Sequence, residues 1–186
     1  VEISTLGKLP SKEWILTILG DIEEGESEYG KFFNFVFCII DDDKVDELNK
    51  SIQGRAHSHL IPSSMGVGSA HRKFLDDIAG QQGASVAPGF NIGSFIARQY
   101  FIMLDDVTRK NGKVVKNIIA LKTPADKFKM DQEQAEQIAV VCLEKRKEFL
   151  ATLKDKKQIQ TTQTQTQQPQ KREVAASQPQ VIRRVV

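Results

Sequence analysis

The chain has little to suggest a membrane, a disulfide framework or a metal ribbon. No apolar run approaches the roughly 18 residues needed to cross a bilayer. Only two cysteines occur, Cys38 and Cys142, far apart and outside any CxxC pair. That spacing excludes a disulfide scaffold or zinc ribbon readable from sequence and leaves two reduced core thiols as the expectation. Val1–Pro10 carries no basic stretch, apolar centre or small-residue cleavage site, so no secretory leader is expected there. The first residue is Val rather than Met, which points to a trimmed or truncated start. Taken together these absences lead us to expect a cytoplasmic protein. Tryptophan occurs once, at Trp14, and aromatic residues make up 7% of the chain.

What is present suits one domain with appendages. A hydrophobic content of 40% in 186 residues is enough for a core, and the mean hydropathy of -0.34 fits a water-facing surface. The net charge of +2 conceals an asymmetry. From Asp21 to Lys50 ten acidic residues face three lysines, whereas from Asn91 to Lys129 eight basic residues face three aspartates. An anionic partner would meet the second half of the chain.

Strand signals dominate the body. Glu13 to Glu23 alternates and is rich in Ile and Leu, and Phe32 to Ile40 is apolar on both faces, as in a buried or barrel strand. A third strand is expected over Ser51 to Leu60. Phe95 to Val107 and Val114 to Leu121 flank Lys110-Asn111-Gly112-Lys113, and Asn-Gly suits a tight reversal. A short helix from Ser69 to Ala79 precedes that hairpin, with Ser69 as cap and Gly80 as stop. A second helix is expected from Asp131 to Lys156, with Asp131 as N-cap and an apolar stripe through Ala135, Ile138, Ala139, Cys142, Leu143, Phe149, Leu150 and Leu153. Five strands with a helix between the third and fourth is the order of an oligonucleotide-binding (OB) barrel. The expected organisation is an OB-type domain over 1–128, a C-terminal helix over 129–157 and a disordered Gln/Thr-rich tail over 158–186.

The stretch LTILGDIEEGESEYGKFFNFVFCIID, followed by IQGR at Ile52–Arg55, resembles a phage-encoded family of single-stranded-DNA-binding-like proteins found among recombination and replication genes. In that pattern a first strand ends in an acidic turn, a second runs into a Gly-Arg pair, and a helix ending in Gly follows. The matching later elements are Phe74 to Gly80, Ile92-Gly93, and Gly112 to Ile118 with Asn117-Ile118, and the likeness covers roughly Trp14 to Thr123. The resemblance implies an OB fold and a non-catalytic role in replication or recombination, in the host cytoplasm if phage-encoded. One departure is plain: such binders usually end in an acidic tip, and this tail ends in Ile182-Arg183-Arg184-Val185-Val186.

Binding single strands without base preference needs cations along a groove and flat side chains for stacking. The expected nucleic-acid residues are Trp14, Arg55, Arg98, Tyr100, Arg109, Lys110, Lys113 and Lys116. Phe33, Phe35 and Phe101 are further stacking candidates, though the phenylalanines are expected mainly inside the barrel. Tyr100 shares a strand face with Arg98, which makes it the expected exposed ring. No catalytic centre, cofactor or metal is expected. His57-x-His59 with His71 has no Cys or carboxylate at fixed spacing beside it, and Asp41-Asp42-Asp43 reads as a solvated loop. The glycines from Gly66 to Gly93 read as loop punctuation without the setting of a phosphate loop. The competing expectation is a structural or assembly protein that uses the barrel and C-terminal helix for protein contacts or homo-oligomers. It draws on the weak basicity, since the body up to Lys156 carries about -2. A protein partner recruited through the C-terminal VIRRVV is the third possibility.

Overall fold

The long alternating runs become strands, and their alternation decides what each face meets. In a computed structural model, which describes residues 6–63, 70–81 and 91–165, β1 spans Trp14–Ser27, β2 Gly30–Ile39, β3 Ala56–Pro62, β4 Gln99–Thr108 and β5 Val114–Lys122. Helix α1 covers Ala70–Gln81 and α2 covers Gln132–Gln165, with single 3-10 turns at Ile92–Phe95 and Asp126–Phe128. The expected cap Ser69 and the VIRRVV end lie outside the described residues.

All strand pairs are antiparallel, in the order β3-β2-β1-β4-β5. The expected closed barrel is therefore seen as an open sheet, with β3 and β5 as its edges. The side chains of His59 on β3 and Asn117 on β5 nevertheless lie near one another across that opening. Beside them α1 supplies Phe74, Leu75 and Ile78 to the same apolar cluster as Ile61 of β3 and Ile118 and Leu121 of β5. Helix side chains thus occupy the gap that an edge-to-edge ladder would close.

Two cores result, one on each face of the sheet. Ile15, Leu19, Phe35, Phe37, Ile39, Tyr100, Ile102 and Leu104 point into the concave cluster capped by α1. The intervening residues Leu16, Ile18, Cys38 and Ile40 point the other way and pack under Ala135, Ala139 and Cys142 of α2. The two-sided apolar run in β2 follows directly from this double coverage.

Several boundaries shift for local reasons. The third strand begins at Ala56 rather than Ser51, because Gly54 takes a left-handed φ of 77° and turns the chain just before it. The fourth begins at Gln99 rather than Phe95, since Asn91 caps a 3-10 turn by accepting from Gly93 N. At Asn111-Gly112 only Gly112 adopts positive φ, and Arg109 O accepts from Gly112 N at 2.9 Å. The reversal is a three-residue turn closed by a left-handed glycine, one residue longer than the tight form. Helix α2 starts as expected, with Asp131 Oδ1 accepting from Gln134 N at 3.1 Å. It runs through Gln165, eight residues past the expected end of the helical part. The chain divides within this helix into compact units Val1–Glu148 and Phe149–Val186.

Outside the strands, one buried carboxylate organises the loop after β2. Asp46 accepts from the backbone N–H groups of Gly7, Leu48 and Lys50 and from Arg55 Nη1 at 3.2 Å. Those donors hold its carboxyl below the usual range against the opposing cost of burial. A Cβ on Gly7 would lie 2.6 Å from that carboxylate. Gly7→Ala should push the N-terminal segment off Asp46 and cost about 1–3 kcal/mol, read as a lowered midpoint in thermal unfolding.

Candidate nucleic-acid interface

The outward positions of β1 and β4 place two rings side by side. Trp14 opens β1 opposite Met103, and Phe101 follows Tyr100 on β4, facing away from the concave core. Their ring centroids are 6.5 Å apart at 65°. The 3-10 turn after β5 brings a third ring, Phe128, to 6.4 Å from Phe101. Phe128 is 55% exposed. Two ammonium groups cover this strip: Lys122 Nζ lies 4.0 Å from the Trp14 centroid and 5.5 Å from that of Phe101, and Lys127 Nζ lies 4.8 Å from that of Phe128. Cations over aromatic faces are attracted by the ring quadrupole, which holds the two lysines against the strip.

The same β4–β5 ribbon ends in the turn that carries Arg109, Lys110 and Lys113, all exposed. By strand rise the turn lies roughly 20–25 Å from Phe101. The acidic residues Glu24 and Glu26 sit at the opposite end of β1 from Trp14, and Glu28 lies in the turn that follows.

Of the eight residues expected from sequence, these four (Trp14, Arg109, Lys110 and Lys113) lie on this ribbon and its neighbour with exposed or half-exposed side chains. The other four have different roles. Tyr100 is fully buried and packs edge-on against Phe37 at 6.2 Å. Arg98 lies outside β4, so no shared strand face pairs it with Tyr100, and Tyr100 itself points inward. Arg98 immediately precedes β4, its guanidinium 5.1 Å over the Phe95 ring. Arg55 is engaged internally, donating to Asp46 and, through Nη2, to Gly7 O at 2.8 Å. Lys116 stands opposite Asp106 in the ladder and pairs with it at 3.1 Å, while also contacting Ser11 Oγ. Its charge is largely spent on that partner.

Phe35 is buried and Phe33 packs on the concave core. Lys122, Lys127 and Phe128 were not singled out from sequence. The usable signal was the alternation Phe101/Met103 against Tyr100/Ile102, which leaves Phe101 on the other face. Nothing in the spacing ties Phe128 to Trp14.

The remaining polar clusters have structural roles. Asp41 accepts from Leu16 N at 3.0 Å and from Asp43 N at 3.2 Å, closing a loop. His57 and His59 face the concave core, where burial pushes each imidazole down to about 4; the neighbouring His59 adds to this for His57, and His71 for His59. Among the described residues no three His, Cys, Asp or Glu side chains converge as metal ligands. Among them also, no helix is long and apolar enough to cross a membrane.

No protein-family model matches the chain, and no curated protein matches it.

Proposed function

We propose that the chain binds single-stranded DNA without catalysis, as a replication or recombination protein of a phage or mobile element. The sheet order β3-β2-β1-β4-β5 is that of an OB barrel opened between its third and fifth strands, and this supports an OB-type reading of the fold. The observation that carries the proposal is the strip of Trp14, Phe101 and Phe128 under Lys122 and Lys127. Bases stack on the rings in a sequence-tolerant way, and the lysines neutralise phosphates as the strand continues toward Arg109, Lys110 and Lys113.

Trp14 is the one tryptophan of the chain, so its fluorescence reports the contact directly. Titration with oligothymidine at low salt should quench it, and affinity should fall steeply as salt rises. Trp14→Ala should weaken binding by about 1–3 kcal/mol, followed with a labelled oligonucleotide. Lys122→Glu should weaken it too and flatten the salt dependence by about one counterion. An oligouridine arm separates DNA from RNA. Absence of quenching and of labelled-strand binding at low salt would defeat the proposal.

A second reading, an assembly protein acting through protein contacts, is favoured by the apolar side chains that α2 leaves exposed. In its sheet-packed part these are Val140 and Val141, and in its distal part Phe149, Leu150 and Leu153. Under this reading light scattering finds a homo-oligomer of the same mass with and without oligonucleotide, and Phe149→Glu dissociates it.

A further inference from the structure

The chain's two cysteines, 104 positions apart in sequence, come from different elements and end in contact. Cys38 projects from β2 toward the outer face, and Cys142 projects from α2 onto it. Both are buried in the same apolar cluster beneath α2. Cys38 Sγ also lies 3.9 Å from Ala139 O, one turn before Cys142 on the same helix face. Beneath it, a Cβ on Gly20 would lie 2.8 Å from Cys38 Sγ, so the missing side chain there is what leaves room for the sulfur.

The surrounding contacts make the helix easy to lift and easy to trap. Besides Cys142, the fully buried residues of α2 are the small Ala135 and Ala139, with Ile138 and Leu143 partly buried beside them. Polar links hold this packing at either end. Gln99 and Met130 exchange hydrogen bonds near the helix start, and Arg146 grips Glu23 through both guanidinium nitrogens one turn after Cys142. A thin apolar contact bounded by exchangeable polar links opens locally at lower cost than a deep core.

We propose that Cys38 and Cys142 are a redox modification site, converted by a small disulfide such as oxidised glutathione into an intramolecular β2–α2 disulfide. Cys142 is the attacking sulfur. The neighbouring Cys38 lowers its pKa, as do the charges of Arg146 and Lys145, while the proximity of Cys142 and burial raise that of Cys38. In the first step the Cys142 thiolate attacks one glutathione sulfur, forms a mixed disulfide and expels a glutathione thiolate. Cys38 then gives up its proton and attacks the Cys142 sulfur, forming the protein disulfide and expelling the second glutathione thiolate. The protein loses two electrons and two protons, and one oxidised glutathione becomes two reduced molecules. The product fastens α2 to the sheet and closes a loop of 104 positions.

The test is thiol titration of the unfolded protein before and after treatment of the folded protein with oxidised glutathione. Titratable thiols should fall from two to none, with a monomeric cross-linked peptide in the non-reducing digest. The unfolding midpoint should rise by roughly 10–15 °C and return on reduction with dithiothreitol. Cys142→Ser and Cys38→Ser should each keep one thiol and show no rise. Two thiols persisting after prolonged exposure, glutathione adducts without a cross-linked peptide, or disulfide-bonded dimers would each overturn the proposal.

Discussion

Acidification from pH 7 to pH 4 should remove up to roughly 6 kcal/mol of folding stability, most of it above the pH at which carboxylates begin to protonate. His57 and His59 point from β3 into the concave core, and burial holds both imidazoles at about 4 in the folded chain against an ordinary 6.5. A gap of that size corresponds to about 3 kcal/mol for each group. The sign follows from proton uptake. Between about 6.5 and 4 the unfolded chain binds protons that the folded chain refuses, so falling pH favours unfolding. Above 6.5 neither state is protonated, and the contribution is flat. The two charges would also repel each other and His71. Glu23 and Asp46, whose folded pKa values are depressed, keep their stabilisation above their unfolded values of 4.5 and 3.8 and lose it below them, so they add to the loss only at the acid end. Since whole domains hold only about 5–15 kcal/mol, the protein should be near its unfolding transition at pH 4. Urea unfolding at stepped pH between 7.5 and 4.5 measures the slope. The double variant His57→Gln with His59→Gln should lose most of it, and a flat wild-type profile over that interval would contradict the assignment.

Phe37→Ala should cost about 3–5 kcal/mol, the largest loss expected from any single truncation in this chain. Its ring is fully buried and meets Phe74 of α1 at 6.3 Å and Tyr100 of β4 at 6.2 Å, both edge-on at 84°. Phe35 meets Phe74 as well, at 5.3 Å. Removing the Phe37 ring therefore opens a void where β2, α1 and β4 converge, and stiff neighbours around an aromatic cluster collapse poorly into it. The unfolding midpoint should fall by roughly 10–15 °C. Phe37→Leu keeps most of the volume and should cost about 1.5 kcal/mol or less. Comparable midpoints for the alanine variant and wild type would place the centre of the core elsewhere.

Strand existence was legible from alternation and turn chemistry, because both are written locally. Phe32 to Ile40 and the Asn111-Gly112 reversal needed no tertiary information. The face of each residue was harder to read, and Tyr100 shows why. When a sheet is covered on the concave side by α1 and on the outer side by α2, both parities are apolar, and alternation no longer says which side is inward. Arg55 misled for a related reason. A cation after a Gly turn resembles a surface charge until its buried partner, Asp46, is seen across the loop. The strip of Trp14, Phe101 and Phe128 unites segments more than 80 residues apart, as does the Cys38–Cys142 contact, and neither has a local signature. The eight extra residues of α2 reflect a Gln/Thr composition poor in apolar residues but without Pro until Pro169, so nothing in it stops a helix already begun.

Placing the first strand at the middle of the sheet has a consequence for how the chain is made. Trp14–Ile18 acquires its second neighbour only from Gln99–Met103, so a growing polypeptide that has reached β3 holds a three-stranded meander with one bare flank. Until the fourth strand leaves the ribosome, that flank offers unpaired amides and apolar side chains to any other nascent copy. Synthesis that stalls before Gln99 should therefore yield insoluble fragments, whereas release after Lys122 completes the sheet.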